Sequence, residues 1–216
     1  MNPWKQCSYD VRLFFSVLLF LAMQSASAQD WITRIPVPQS AMDETAALCT
    51  DGSRIYFAGS VLNAAGNWDV IVSCLDNTGD TVWIQQSDLG SDEKAEKILL
   101  DNDNGIIVAM TQWTRNGSFA YLARWTIQGS PHWIQAFPDG GNRTMAADIA
   151  VLASGKIVFA YNSEGFGGQR CCIASVNMNG APEWTKFVAG ESALSVAVEG
   201  NDVAVAALSS AQPPQS

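Results

Sequence analysis

Histidine is all but missing from this chain: His132 stands alone in 216 residues. With no Cys-x-x-Cys pair beside it, the common zinc ligand sets cannot be assembled from the sequence. There is no Gly-x-Ser-x-Gly and no His-Glu-x-x-His, so the motifs of a nucleophile elbow and of a metalloprotease helix are lacking too. Basic residues are scarce. Twelve Lys and Arg face 21 Asp and Glu, a net charge of −9, which argues against nucleic acid and anionic membrane surfaces as partners. No apolar run reaches the roughly 20 residues that a membrane-spanning helix needs. A long amphipathic helix is also wanting. Residues 92–100 (DEKAEKILL) have the best local helix propensity, but they fall where the other repeats carry a strand, so their second half is read as strand.

What is present begins with a leader. Lys5 and Arg12 make a basic start, residues 13–23 (LFFSVLLFLAM) an apolar core, and Ala26-Ser27-Ala28 a small-x-small cleavage site. This pattern is that of a secretory signal. Cleavage after Ala28 is expected to export the chain to the periplasm or the cell exterior, with a net charge of −10. Four cysteines remain: Cys49, Cys74, Cys171 and Cys172. Export permits disulfides. However, Cys49 and Cys74 fall on strands with another strand between them, roughly 9.5 Å apart and beyond bridging reach. Cys171 and Cys172 are adjacent and point to opposite faces. Buried thiols are expected.

Four tryptophans, Trp31, Trp83, Trp133 and Trp184, recur at spacings of 52, 50 and 51 residues. A glycine precedes three of them by four residues: Gly79, Gly129 and Gly180. Apolar runs stand before each polar turn, the mark of a hairpin. A second hairpin recurs upstream in each unit, with turns at Asp51-Gly52, at residues 101–105, at Ser154-Gly155 and at Gly200-Asn201. Two hairpins make four short strands per unit. Near-continuous apolar strands imply burial on both faces, which small sheets stacked around an axis provide. The expected fold is all-β: a partial β-propeller of about three and a half four-stranded blades. Residues 29–210 hold the repeats, with units near 43–91, 92–142 and 143–191, a partial unit at 192–210 and a tail at 211–216. The tryptophan at each unit's end is expected to lie buried between neighbouring sheets.

The chemical motifs are weak. Asp101-Asn102-Asp103-Asn104-Gly105 approaches a calcium loop, but glycine occupies the third ligand position and Gln112 the place of the bidentate glutamate. A self-capping polar turn is the expected reading. His132 sits in a turn whose equivalents are Val82 and Glu183, with no nucleophile in sequence reach. Carboxylate pairs remain the one catalytic device left open; the candidates are Asp43, Glu44, Asp92, Glu93 and Asp148. The glycine-rich run at residues 165–168 lacks the following helix of a phosphate loop. Asn116-Gly117-Ser118 and Asn142-Arg143-Thr144 fit the short glycan acceptor pattern. No metal or cofactor is expected.

Residues 66–83 (GNWDVIVSCLDNTGDTVW) resemble the tandem repeats of secreted bacterial β-propellers, of the type called the seven-bladed β-propeller repeat. The other units resemble it more loosely, with Thr126 and Asn177 in place of Asp76. Thr78-Gly79-Asp80-Thr81-Val82-Trp83 is also similar to pyrroloquinoline-quinone-type propellers, in which such a tryptophan docks neighbouring blades. That resemblance implies the propeller fold and export; it does not imply redox chemistry. The expected function is a non-catalytic binding or scaffold module for a protein or carbohydrate ligand, with Trp68, Trp113 and Phe166 as rim residues and self-association through open propeller edges. The alternatives are a fragment of a propeller enzyme, either a carboxylate hydrolase or a quinoprotein, and a purely architectural segment of a larger surface protein.

Overall fold

Polar turns between apolar runs fold the chain into consecutive antiparallel hairpins. The computed structural model describes residues 43–140, 143–165, 168–189 and 191–209, which belong to one compact unit. Trp31, Phe166, the leader and the tail at 211–216 lie outside them. Among the described residues there is no helix. The protein is all-β, with four antiparallel sheets of four, four, four and two strands.

The first sheet orders β1 (Asp43–Thr50), β2 (Arg54–Leu62), β3 (Trp68–Asp76) and β4 (Thr81–Ser87). The second holds β5 (Asp92–Leu100), β6 (Ile106–Thr114), β7 (Gly117–Trp125) and β8 (Pro131–Phe137). The third holds β9 (Arg143–Val151), β10 (Ile157–Gly165), β11 (Gly168–Val176) and β12 (Pro182–Ala189). A last hairpin pairs β13 (Glu191–Glu199) with β14 (Asp202–Ser209). Residues 92–100 are strand throughout: pairing with β6 overrides their helix propensity from the first residue.

Strand periodicity explains the core. Along β6, Ile106, Val108 and Met110 pack towards the first sheet with Tyr56, Val70 and Val72. Ile107 and Ala109 face the other way, onto Ile149, Ile157 and Phe159 of the third sheet. In β10, Phe159 and Tyr161 face the second sheet while Val158 and Ala160 face Ala193 and Val196 of the last hairpin. A middle sheet buries both faces, so alternation of apolar with polar residues disappears. Each buried Val, Ile or Phe contributes about 1.5–3 kcal/mol.

Two recurrent interlocks tie the sheets together. The first lies at a β-bulge in each first strand, where the register slips by one residue at Ala46, Glu96, Ala147 and Leu194. The N–H beside the bulge is accepted by a side chain of the preceding sheet: Ala95 by Ser60 Oγ at 3.0 Å, Ala146 by Thr111 Oγ1 at 3.0 Å and Ala193 by Asn162 Oδ1 at 2.6 Å. A bulge disrupts the ladder locally, and a buried N–H must find another acceptor. This accounts for buried Ser60 and Thr111 inside apolar strands.

The second interlock is the tryptophan. Trp83 Nε1 donates to Ile127 O and Trp133 Nε1 to Met178 O, each at 3.0 Å, in the polar turn of the following sheet. The glycine of that turn lies flat against the indole. A Cβ on Gly129 would come within 2.8 Å of Trp83, and one on Gly180 within 2.6 Å of Trp133. Both rings are half-buried. Trp184 differs from the expected burial: it is 39% exposed, with Lys186 Nζ 5.4 Å from its ring centroid. The sheet that follows Trp184 has two strands and carries no such turn among the described residues. Gly79 shares the left-handed conformation of its counterparts, φ 88°.

Candidate functional site

Every meander sheet has two ends, and the polar side chains divide between them. At one end lie the turns inside each hairpin of the first kind and the tryptophan-bearing turns. At the other lie the turns joining second to third strands, at 63–67 and 115–116, and the described parts of the connectors between sheets, at 88–91 and 138–140. Rim candidates Trp68 and Trp113 both stand at this second end, on the flanks of those turns. Trp68 lies under Lys94 Nζ, 4.9 Å from its centroid, and its backbone N–H donates to Asp92 Oδ1 at 2.9 Å.

A carboxylate cluster occupies the junction of the first and second sheets there. Oxygens of Asp69, Asp88 and Glu93 lie within 4.8 Å of one another, and Asp69 and Glu93 are buried. Their oxygens are already engaged. Asp69 accepts from Asn63 Nδ2, Asn67 Nδ2 and Gln86 Nε2. Glu93 accepts from the backbone N–H groups of Leu89 and Ser91 and from Gln112 Nε2. Burial pushes the Glu93 carboxyl above its ordinary range, against the pull of those hydrogen bonds. Gln112 also donates to Leu89 O and accepts from Tyr121 OH. The cluster clamps the 63–67 turn to the 88–91 connector, with the oxygens of Asp69 and Glu93 held by donors and Asp88 Oδ1 by Gly90 N.

The other catalytic candidates have similar employment. Asp148, buried on β9, accepts from Ser195 Oγ at 2.6 Å, Val196 N at 2.9 Å and Ile149 N at 3.0 Å, and pairs with Lys97 Nζ at 3.2 Å. Burial pushes its carboxyl up, but those bonds outweigh burial and hold it below the ordinary range. Asp148 therefore links the first strands of three consecutive sheets. Asp92 caps Trp68. The side chains of Asp43 and Glu44 lie outside the described residues. In the 101–105 turn, Asp101 Oδ1 accepts from Asp103 N and Gly105 N, while Oδ2 accepts from Arg124 Nε at 2.6 Å. The turn caps itself through one carboxylate oxygen, and the Arg124 guanidinium holds the other. A Cβ on Gly105 would meet that guanidinium, so a larger residue there would have to displace Arg124. His132 is exposed, with Nδ1 2.8 Å from Arg124 Nη1.

A cleft opens between the second and third sheets at the same end. Its volume is about 230 Å3, and its walls include Trp113, Arg115 and Ser118 on one side and Arg143, Met145 and Glu164 on the other. Arg143 and Glu164 sit opposite each other across β9 and β10, as Trp113 and Ser118 do across β6 and β7. Among the described residues, Trp113 is the one predicted rim residue that lines this cleft. Arg115, Arg143, Met145 and Glu164 escaped sequence reasoning. A signal for one of them exists: Arg143 stands at the register position that acidic Asp92 takes in the preceding sheet.

No family model matches the chain. The cytochrome c biogenesis protein CcsB of Synechococcus sp. (strain JA-3-3Ab) is 28% identical over 122 residues, covering 56% of this chain and 24% of that protein. The chain spans about a quarter of that relative's length.

Proposed function

We propose that this chain is an exported segment of a β-propeller, about three and a half blades, acting as a non-catalytic binding or scaffold module in the periplasm or at the cell surface. The observation that carries the reading is the pair of interlocks, bulge N–H to side chain and indole to glycine turn, repeated from sheet to sheet. Sheets so locked form a rigid frame with turns and connectors gathered at one end, an arrangement that suits recognition. The committed carboxylates favour binding over hydrolysis: Glu93, Asp92 and Asp148 each hold structure together. The basic start, apolar core and Ala26-Ser27-Ala28 site support export. No cofactor enters the reading.

A second copy of the chain is the proposed self-association partner. Trp184, Phe187, Leu194, Val203 and Leu208 are exposed apolar side chains on the third and last sheets, and unpaired strand edges with apolar faces favour association. Three measurements test the whole. N-terminal sequencing of exported protein should begin at Gln29, and retention in the cytoplasm would sink the export reading. Light scattering should find association that rises with concentration; a monomer at all concentrations counts against open edges. A panel of chromogenic glycosides should go unhydrolysed, and turnover abolished by Asp148→Asn would overturn the non-catalytic reading.

A further inference from the structure

We infer that the cleft between the second and third sheets binds an acidic sugar residue, a pyranose bearing one carboxylate. The inference rests on the binding-module reading above and gives it a site and a ligand class. Arg115, from the turn between β6 and β7, and Arg143, at the start of β9, both line this cleft. Neither makes an ion pair or side-chain hydrogen bond among the described residues. The chain has only 12 basic side chains against 21 acidic ones, so two uncommitted arginines in one cleft form a local positive site. Gly117, in the tip of the hairpin, lies over the Arg143 stem: a Cβ there would stand 3.5 Å from Arg143 Cγ. The stem is thereby held while the guanidinium keeps its donors. A guanidinium presents a planar fork that matches a carboxylate in bidentate fashion.

The remaining wall selects among anions. Glu164 sits beside Arg143 in the register. Its carboxylate repels a doubly charged phosphate or sulfate, yet accepts hydrogen bonds from sugar hydroxyls. Trp113, half-buried, offers an aromatic face and Met145 an apolar side. The Ser118 hydroxyl is buried in the same wall and has no hydrogen-bond partner, a cost that a ligand hydroxyl reached by a small rotation would remove. At about 230 Å3 the cleft lies below the roughly 300–1,000 Å3 of sites for larger organic ligands. It fits one ring of a chain that extends outward.

Calorimetric titration of the purified processed chain tests this with digalacturonate, its neutral counterpart galactobiose, sodium sulfate and a short glutamate peptide. Digalacturonate should bind at least tenfold tighter than each of the others. Arg115→Gln and Arg143→Gln should each weaken it about tenfold, about 1.4 kcal/mol, with unfolding curves unchanged because both side chains are exposed and unpaired. Glu164→Gln should weaken the sugar and strengthen sulfate. Equal binding of galactobiose, or no effect of Arg143→Gln, overturns the site. Equal binding of sulfate or of the peptide overturns the sugar assignment. No binding of any probe also overturns the proposal, while export and the absence of turnover test the module reading separately.

Discussion

Replacing Gly180 with alanine puts a methyl group where the ring of Trp133 now lies. The new Cβ would stand 2.6 Å from the indole, and the residue would keep a φ of 82°. Two costs follow. The left-handed backbone costs an alanine about 1–2 kcal/mol. The ring must retreat by about 1 Å to reach ordinary contact, which forfeits its bond to Met178 O, about 0.5–1.5 kcal/mol, and part of its packing. A total of about 3–5 kcal/mol results, bounded by the cost of deleting a buried tryptophan. Gly52 supplies the control. Its φ is 88°, and a Cβ there meets nothing within 4 Å, so Gly52→Ala should cost only the backbone term. The excess of about 2–3 kcal/mol corresponds to about 4–12 °C in Tm for a domain of this size. Thermal and urea unfolding of both variants measure it. In a Trp133→Ala background the excess should vanish, because the obstacle is gone. Gly129→Ala should repeat the behaviour against Trp83. Trp184→Ala should cost under about 1 kcal/mol, since no turn among the described residues covers that ring. Equal costs for Gly180→Ala and Gly52→Ala would refute the interlock.

Thr111→Val keeps shape but strips the acceptor from Ala146 N, so it should destabilise by about 1–3 kcal/mol, whereas Ser73→Ala, at a buried hydroxyl with no hydrogen-bond partner, should be neutral or stabilising by urea unfolding. Burial pushes the Cys49 and Cys172 thiols up to about 11; at pH 8 their thiolate fraction is on the order of 10⁻³, and iodoacetamide should label them about 10²-fold more slowly than in urea. Rapid native labelling of Cys49 contradicts its environment. Stability should fall on acidification. Asp51 is held at about 2 against an ordinary 3.8, chiefly by the Ser53 N–H, and Asp148 is likewise depressed. Carboxyls depressed in the fold contribute stability above the ordinary value and lose it as pH drops through the folded value. The loss should run from about pH 4 towards 2, and Asp148→Asn should make it shallower. Glu93, raised by burial, acts in the opposite sense above its ordinary value of 4.5.

Much of the sheet architecture was legible because it is periodic and local. A polar glycine turn between two apolar runs specifies its hairpin without help from distant residues, and the tryptophans repeat that specification about every 50 positions. What periodicity could not settle was the difference between copies. Trp83, Trp133 and Trp184 read alike in sequence. Their burial depends on the sheet that follows, and the sheet after Trp184 has two strands instead of four. The bulges were equally invisible. Nothing about Ala95 or Ala146 marks a displaced N–H; the clue sits some 35 residues earlier, in a lone Ser60 or Thr111 inside an apolar strand.

The site was less legible, for a physical reason. A carboxylate in sequence is a charge without an address. Glu93 read as a candidate acid; in the fold it meets the N–H groups of Leu89 and Ser91 and the amide of Gln112, which turn it into a clamp. Residues 101–105 read as a self-capping polar turn, and Asp101 does cap it; what the sequence did not show is that Arg124, from the third strand of the same sheet, takes its other oxygen. The cleft runs the other way. Arg115 and Arg143 are 28 positions apart and come from different sheets, yet they have no partner among the described residues, in a chain that pairs or caps most of its buried charges. Repeat proteins suppress information at positions the repeat needs, so function must be sought where a unit departs from its neighbours. Arg143, at the register position that Asp92 holds in the preceding sheet, is such a departure. If the cleft binds an acid, restoring the repeat with Arg143→Asp should abolish binding altogether and not merely weaken it as Arg143→Gln does, because it sets a second carboxylate beside Glu164. Equal binding by the two variants would mean that charge at this position is irrelevant to the cleft.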